Sequence, residues 1–108
     1  MTGFNSAFAP MATTTEQLIC YLREQSPELR QQFGVHRLRI FGSWARGTAG
    51  QESDVDVLVA FKVSANARRF YGLQFFLEDL LGRSVELVTE KALRQEFRPI
   101  VVADAIKI

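Results

Sequence analysis

The sequence predicts a single α/β domain in which a small mixed sheet carries helices on one face and leaves the other face partly open. Three observations support this. Apolar repeats of helical period alternate with short β-branched runs, in the order helix, helix, strand, turn, strand, helix, strand, helix. The run Val55–Phe61 is apolar on both faces except at its start, as a central strand must be. The length, 108 residues, suffices for one core and is short for a second lobe.

Each element has its own signal. Residues 1–11 are small and polar apart from scattered apolar residues and read as a flexible extension, so the domain itself is placed at 12–108. In TTTEQLICYLREQ, Thr13 and Glu16 have capping-box spacing, and Leu18, Ile19, Tyr21 and Leu22 form an apolar stripe, giving a first helix. In SPELRQQFG, Ser26 is read as the N-cap, Pro27 as the first helical residue and Gly34 as the stop of a second, short helix. VHRLRIF places Leu38 and Ile40 on one face and Arg37, Arg39 and Phe41 on the other, a half-exposed strand.

After the strand Val55–Phe61, NARRFYGLQFFLEDLLG repeats Phe70, Leu73, Leu77 and Leu80 at helical spacing and ends at Gly82. SVELVT is a third strand with Val85 and Leu87 on one face and Glu86 and Val88 on the other. EKALRQEF is read as a helix, with Pro99 at its end or opening a further turn, and AIKI as an edge strand.

Composition bounds the function. Hydrophobic residues are 47% and charged residues 23% of the chain, the balance of a folded globular protein. A net charge of +1 gives no global basic field, so stable binding to nucleic acid or an anionic membrane is not expected, and any polyanion site must be local. No apolar run approaches the roughly 20 residues that cross a bilayer, and the first ten residues lack the features of a secretory signal. The lone Cys20 cannot form an intrachain disulfide, fits a reducing cytoplasm and is read as a small core residue.

The chemistry concentrates in FGSWARGTAGQESDVDVLVAF. Residues i and i+2 of a strand point the same way, so Asp54 and Asp56 project together. If the third strand pairs beside this one, Glu86 joins them. Three neighbouring carboxylates remain ionised only when a cation neutralises them, and hard oxygen donors in that number suit Mg²⁺ or Mn²⁺. At the preceding turn, Gly42 lets backbone amides approach a phosphate, and Ser43 adds a hydroxyl at the start of a helix.

GSWARG, followed by SDVDVLV and then VELVT, closely resembles the minimal nucleotidyltransferases of the DNA polymerase β-like superfamily, whose pattern is Gly-Ser, Ala-Arg-Gly, then Ser-Asp-x-Asp before a hydrophobic strand. The resemblance runs from the first helix to Ile108. It implies the polymerase β-like nucleotidyltransferase fold. It also implies Gly42, Ser43, Arg46 and Ser53 at the nucleotide, with Asp54 and Asp56 as metal ligands. Glu86 falls at the third carboxylate, often aspartate in the family, as metal ligand and base for the acceptor hydroxyl. For Arg46 the alternative is a brace of the turn through a salt bridge.

The implied activity is Mg²⁺- or Mn²⁺-dependent transfer of a nucleoside monophosphate, AMP from ATP, to a hydroxyl of a partner protein. Small members of this family act as antitoxins beside a helical HEPN-domain ribonuclease toxin, adenylylating a tyrosine on it, which implies a HEPN partner. A binding module that neutralises such a partner by docking alone is the competing reading, because one small domain offers no obvious base-binding lobe. A polymerase-like fragment acting on nucleic acid fits less well with the near-neutral charge. Oligomeric state is left open.

Simpler readings hold for the remaining residues. His36 is read as a surface or structural histidine, Trp44 as packed against the turn, and Arg68 and Arg69 as a solvated helix end. The run FYGLQFF is read as core, with exposure of Tyr71, Phe75 or Phe76 the sign of a partner surface.

Overall fold

The apolar stripe of TEQLICYLRE and the β-branched run of VDVLVAF settle on one another in the computed structural model, which describes residues 11–108. In chain order its elements are α1 (Thr15–Glu24), α2 (Ser26–Phe33), β1 (Val35–Phe41), α3 (Gly42–Arg46), β2 (Val55–Phe61), α4 (Ala67–Leu81), β3 (Val85–Thr89), a 3₁₀ turn (Gln95–Phe97), α5 (Arg98–Asp104) and β4 (Ile106–Lys107). The strands lie in the order β3-β2-β1-β4, with β2 parallel to β3 and antiparallel to β1, so the sheet is mixed and β2 is interior. The predicted extension falls outside the described residues but for Met11. Ala12, the first residue of the predicted domain, is fully buried, and its amide donates to the Leu81 carbonyl at 3.1 Å.

One face of the sheet carries the core. Leu38 and Ile40 from β1, Val55, Val57 and Val59 from β2, and Val85 and Leu87 from β3 pack with Leu18 and Leu22 of α1, Leu29 of α2, and Leu73, Leu77, Leu80 and Leu81 of α4. The opposite face presents Arg37, Arg39 and Phe41, then Asp56, Leu58 and Ala60, then Glu86 and Val88, because paired residues share a face. Leu58 is buried between its neighbours Arg39 and Val88, which makes β2 apolar on both sides as predicted. In β1, Val35 pairs with Phe61 but Arg37 with Ala60, a bulge that inserts one residue at His36 and leaves that side chain exposed.

Several expectations are corrected. The N-cap of α1 is Thr14, whose hydroxyl accepts from the Gln17 amide at 3.1 Å, and Ser26 is the first residue of α2 with Gln25 before it. Cys20 is exposed rather than in the core, since the buried positions of α1 are Leu18 and Leu22, and position 20 lies off that stripe. No α-helix forms over EKALRQEF: residues 90–94 turn, a 3₁₀ turn follows, and Pro99 sits in the first turn of α5 instead of ending a helix. Proline is suited to that place because its missing amide would have no partner there. The edge strand in AIKI is present as β4.

Candidate active site

The parallel register sets Asp56 beside Glu86, and the antiparallel register sets Phe41 beside Asp56. The three form a row across one end of the open face. Asp54 lies just outside β2 and is exposed, as is Glu86, while Asp56 is half-buried. The sequence placed Glu86 with Asp54 and Asp56 on condition that β3 paired beside β2; β3 does pair there, which sets Glu86 opposite Asp56.

The chain leaves β1 directly into Gly42, whose φ of +73° is in the left-handed region. A Cβ on Gly42 would collide with the Asp56 carboxylate oxygen Oδ2 and lie 3.2 Å from its Cγ. The glycine is therefore required by this carboxylate as well as by the turn. Ser43 follows in α3, a helix of 5 residues, and its carbonyl accepts from the Thr48 amide at 2.9 Å.

Trp44 locks the loop between α3 and β2. It is buried, its indole N–H donates to the Ser53 carbonyl at 3.1 Å, and the Arg83 guanidinium stacks 4.7 Å from its ring centroid. Arg83 also donates to the carbonyls of Ala12 and Gln51, each at 2.6 Å. The Ser53 hydroxyl accepts from the Gly50 amide at 3.0 Å, so this predicted nucleotide contact has a local task in shaping the loop. Packing as the role of Trp44 matches the sequence reading; Arg83 was not singled out, and no motif marks it.

Two further residues escaped the sequence reading. On α4, Gln74 donates through Nε2 to the Val85 carbonyl at 3.1 Å, and Glu78 accepts from the Val85 amide at 3.0 Å. They satisfy the outer edge of β3 one residue before Glu86 and so fix where its backbone runs. Their spacing of four, facing an apolar strand start, was the available signal.

The electrostatics centre on Asp56. Burial raises its pKa, the neighbouring charges of Glu86 and Asp54 raise it further, and Arg46 opposes them. Arg46 is held by Asp104 of α5, with Nη1 to Oδ2 at 2.9 Å, so the predicted salt-bridge alternative is present while the residue also acts on Asp56. Among the described residues no group of three His, Cys, Asp or Glu side chains is gathered so as to enclose a metal ion. The side chains at this end that bear on Asp56 are the carboxylates of Glu86 and Asp54, whose charges raise its pKa, and the guanidinium of Arg46, which lowers it. Alongside lies a cleft of about 360 Å³ with Asp56 and Glu86 in its lining and Phe41, Val88, Phe97 and Ile100 among its apolar walls.

The aromatic run divides: Phe76 packs on Phe33 with ring centroids 5.2 Å apart, while Tyr71 and Phe75 are exposed. Among the described residues, no helix is long and apolar enough to cross a membrane.

Comparison with known proteins agrees with this arrangement. The model of the nucleotidyltransferase domain family matches residues 22–108. The protein adenylyltransferase MntA of Thermococcus cleftensis is 36% identical over 95 residues, covering 88% of this chain and 96% of that protein. A solved structure of a candidate minimal nucleotidyltransferase superposes with a TM-score of 0.77 at 36% identity, over 92% of this chain and 100% of that one. The fold also matches a chain from the tri-AMPylated Shewanella oneidensis HEPN toxin in complex with MNT antitoxin, with a TM-score of 0.55 at 19% identity, over 86% of this chain and 66% of that one. The turn at Gly42, the Asp56–Glu86 pair and the mixed sheet that joins them thus place this chain in the nucleotidyltransferase domain family, with the polymerase β-like fold of the minimal nucleotidyltransferases.

Proposed function

We propose that this protein transfers AMP from ATP, with Mg²⁺ or Mn²⁺, to a hydroxyl on a partner protein, and that the partner is a HEPN-domain toxin for which it is the antitoxin. The observation that carries this reading is the pairing of Asp56 with Glu86 directly against the Gly42 turn. The names of its relatives supply the partner class: MntA is a protein adenylyltransferase, and the MNT antitoxin is bound to an AMPylated HEPN toxin.

Asp54, Asp56 and Glu86 would hold the metal, which when bound neutralises triphosphate charge and activates the reacting oxygens. Gly42 leaves the backbone open to the triphosphate, and Ser43 offers its hydroxyl beside it. The acceptor oxygen forms a bond to the α-phosphorus, the bond from that phosphorus to the bridging oxygen breaks, and pyrophosphate leaves. The hydroxyl proton passes to the Glu86 carboxylate, which is exposed and can release it to water. Arg46 offsets part of the carboxylate charge from the α3 side.

Labelled ATP, Mg²⁺ and the partner protein should give a labelled partner, and Asp54→Asn with Asp56→Asn should give none. Failure of the folded wild-type protein to label it with any nucleoside triphosphate or either metal would overturn the reading. Docking without catalysis is the second reading, favoured by the exposed Phe97 and Ile100 beside the site. It predicts that the double variant still neutralises the partner at normal stoichiometry.

A further inference from the structure

The net charge of +1 conceals an uneven distribution. Where β1 meets α2 and β4, a cleft of about 270 Å³ is lined by Arg30, His36, Arg37, Arg39 and Lys107 together with Leu38 and Ile108, and no Asp or Glu side chain lines it. Arg37 is committed to Glu90, with Nη2 to Oε1 at 2.8 Å and Nε to Oε2 at 3.2 Å. Arg30, Arg39 and Lys107 make no ion pair within 4.0 Å among the described residues.

Arg39 is the informative member. Its Nε is buried and has no hydrogen-bond partner. A buried donor left unsatisfied is costly, more so on a charged group, and calls for a specific explanation such as a bound ion or water. Arg39 acts on Glu90, whose carboxyl is held below its usual range by hydrogen bonds from Arg37 first and then by the charges of Arg37, Arg39 and Arg98. That carboxylate is already engaged by Arg37 and lies outside the cleft lining.

We propose that this cleft is a second anion site, which binds a phosphate group through Arg39 at its base and Arg30 and Lys107 at its rim. Guanidinium forks match phosphate oxygens in pairs. The volume falls just below the roughly 300–1,000 Å³ of pockets that enclose whole drug-sized ligands, so the cleft holds the phosphate and leaves the rest of its bearer outside. The cleft shares no lining residue with the one that holds Asp56 and Glu86, and Arg46, not Arg39, is the cation that acts on Asp56. The phosphate can be free or part of a phosphodiester chain, and the experiment distinguishes the two.

The protein is titrated in EDTA at low ionic strength with inorganic pyrophosphate and, separately, with a short oligouridylate, and binding is followed by calorimetry. At least one probe is expected to bind, and Arg39→Met should weaken it about tenfold, the loss of one charge-assisted hydrogen bond. Arg30→Gln with Lys107→Gln should weaken it at least as much, while Asp54→Asn with Asp56→Asn should bind as the wild type does. Equal affinity for both probes assigns a free phosphate; binding of the oligouridylate alone assigns a phosphodiester. In that case log K should fall with log salt at a slope of about −2 for three phosphates held, and less steeply in the Arg30/Lys107 variant. Binding of neither probe overturns the proposal. So does binding unchanged in the Arg30/Lys107 variant, or binding lost with Asp54 and Asp56. The Arg30/Lys107 variant alters only exposed side chains, so the test stands even where Arg39→Met fails to fold.

Discussion

Gly42 and Asp56 share one space: the position a Cβ would take on Gly42 is filled by the Asp56 carboxylate. The turn and the acid, which the sequence separates by 14 positions, are therefore one structural unit. Substitution of either disturbs the other.

Gly42→Ala meets both the positive φ and the carboxylate. It should cost about 1–3 kcal/mol in chemical denaturation, and it should abolish AMP transfer by turning Asp56 away. A variant with wild-type stability and transfer would show that the glycine is needed for neither reason.

Asp56 has a raised pKa in the folded state, from burial first and then from Glu86 and Asp54. Its contribution to stability is therefore full below the ordinary aspartate range and is lost as pH rises through the raised value. Without divalent cations, Asp56→Asn should melt higher than the wild type at neutral pH, and the difference should vanish in acid. Thermal melts across pH check the sign.

Mg²⁺ should reverse that order. A cation that binds the folded state at ten times its Kd stabilises it by about 1.4 kcal/mol, so the wild-type Tm should rise with Mg²⁺ while that of Asp54→Asn with Asp56→Asn stays flat. As pH falls through the raised value of Asp56, the Mg²⁺-induced rise should disappear.

Trp44→Phe keeps a ring under Arg83 and removes the indole donor to the Ser53 carbonyl. A loss of about 1 kcal/mol is expected, and a weaker Mg²⁺-induced rise in Tm because Ser53 leads directly into Asp54. Equal Mg²⁺ response in the two proteins would separate the loop from the site.

Arg46 and Asp104 form an ion pair with both partners partly exposed. A double-mutant cycle should give a coupling of about 0.2–1 kcal/mol. Asp104→Asn should leave AMP transfer near wild type, whereas Arg46→Gln should reduce it and push the Asp56 pKa further up. Equal losses in the two variants would reduce Arg46 to a brace.

Periodicity made the architecture legible because the long helices and the strands flanking β2 bury one face each while β2 is apolar on both, and burial leaves that pattern in the chain. The C-terminal third was harder to read. Residues 90–97 have helix-forming composition, yet the chain there turns into a 3₁₀ segment, and Pro99 lies in the first turn of α5. Short elements bury no stripe of their own, so neighbours decide them. Cys20 shows the same limit, since apolar neighbours do not reveal which side of α1 meets the sheet.

By itself the sequence determined the apolar strand, the Asp-x-Asp pair at its mouth and the glycine of the turn, because each depends on residues close in the chain. Only the tertiary structure decided that Glu86 stands beside Asp56, that Gln74 and Glu78 hold the edge next to it, and that Arg30, Arg39 and Lys107 meet in one cleft. The reason is that strand order and register, fixed by burial of the common core, set which distant side chains share a face, and no local pattern records that choice.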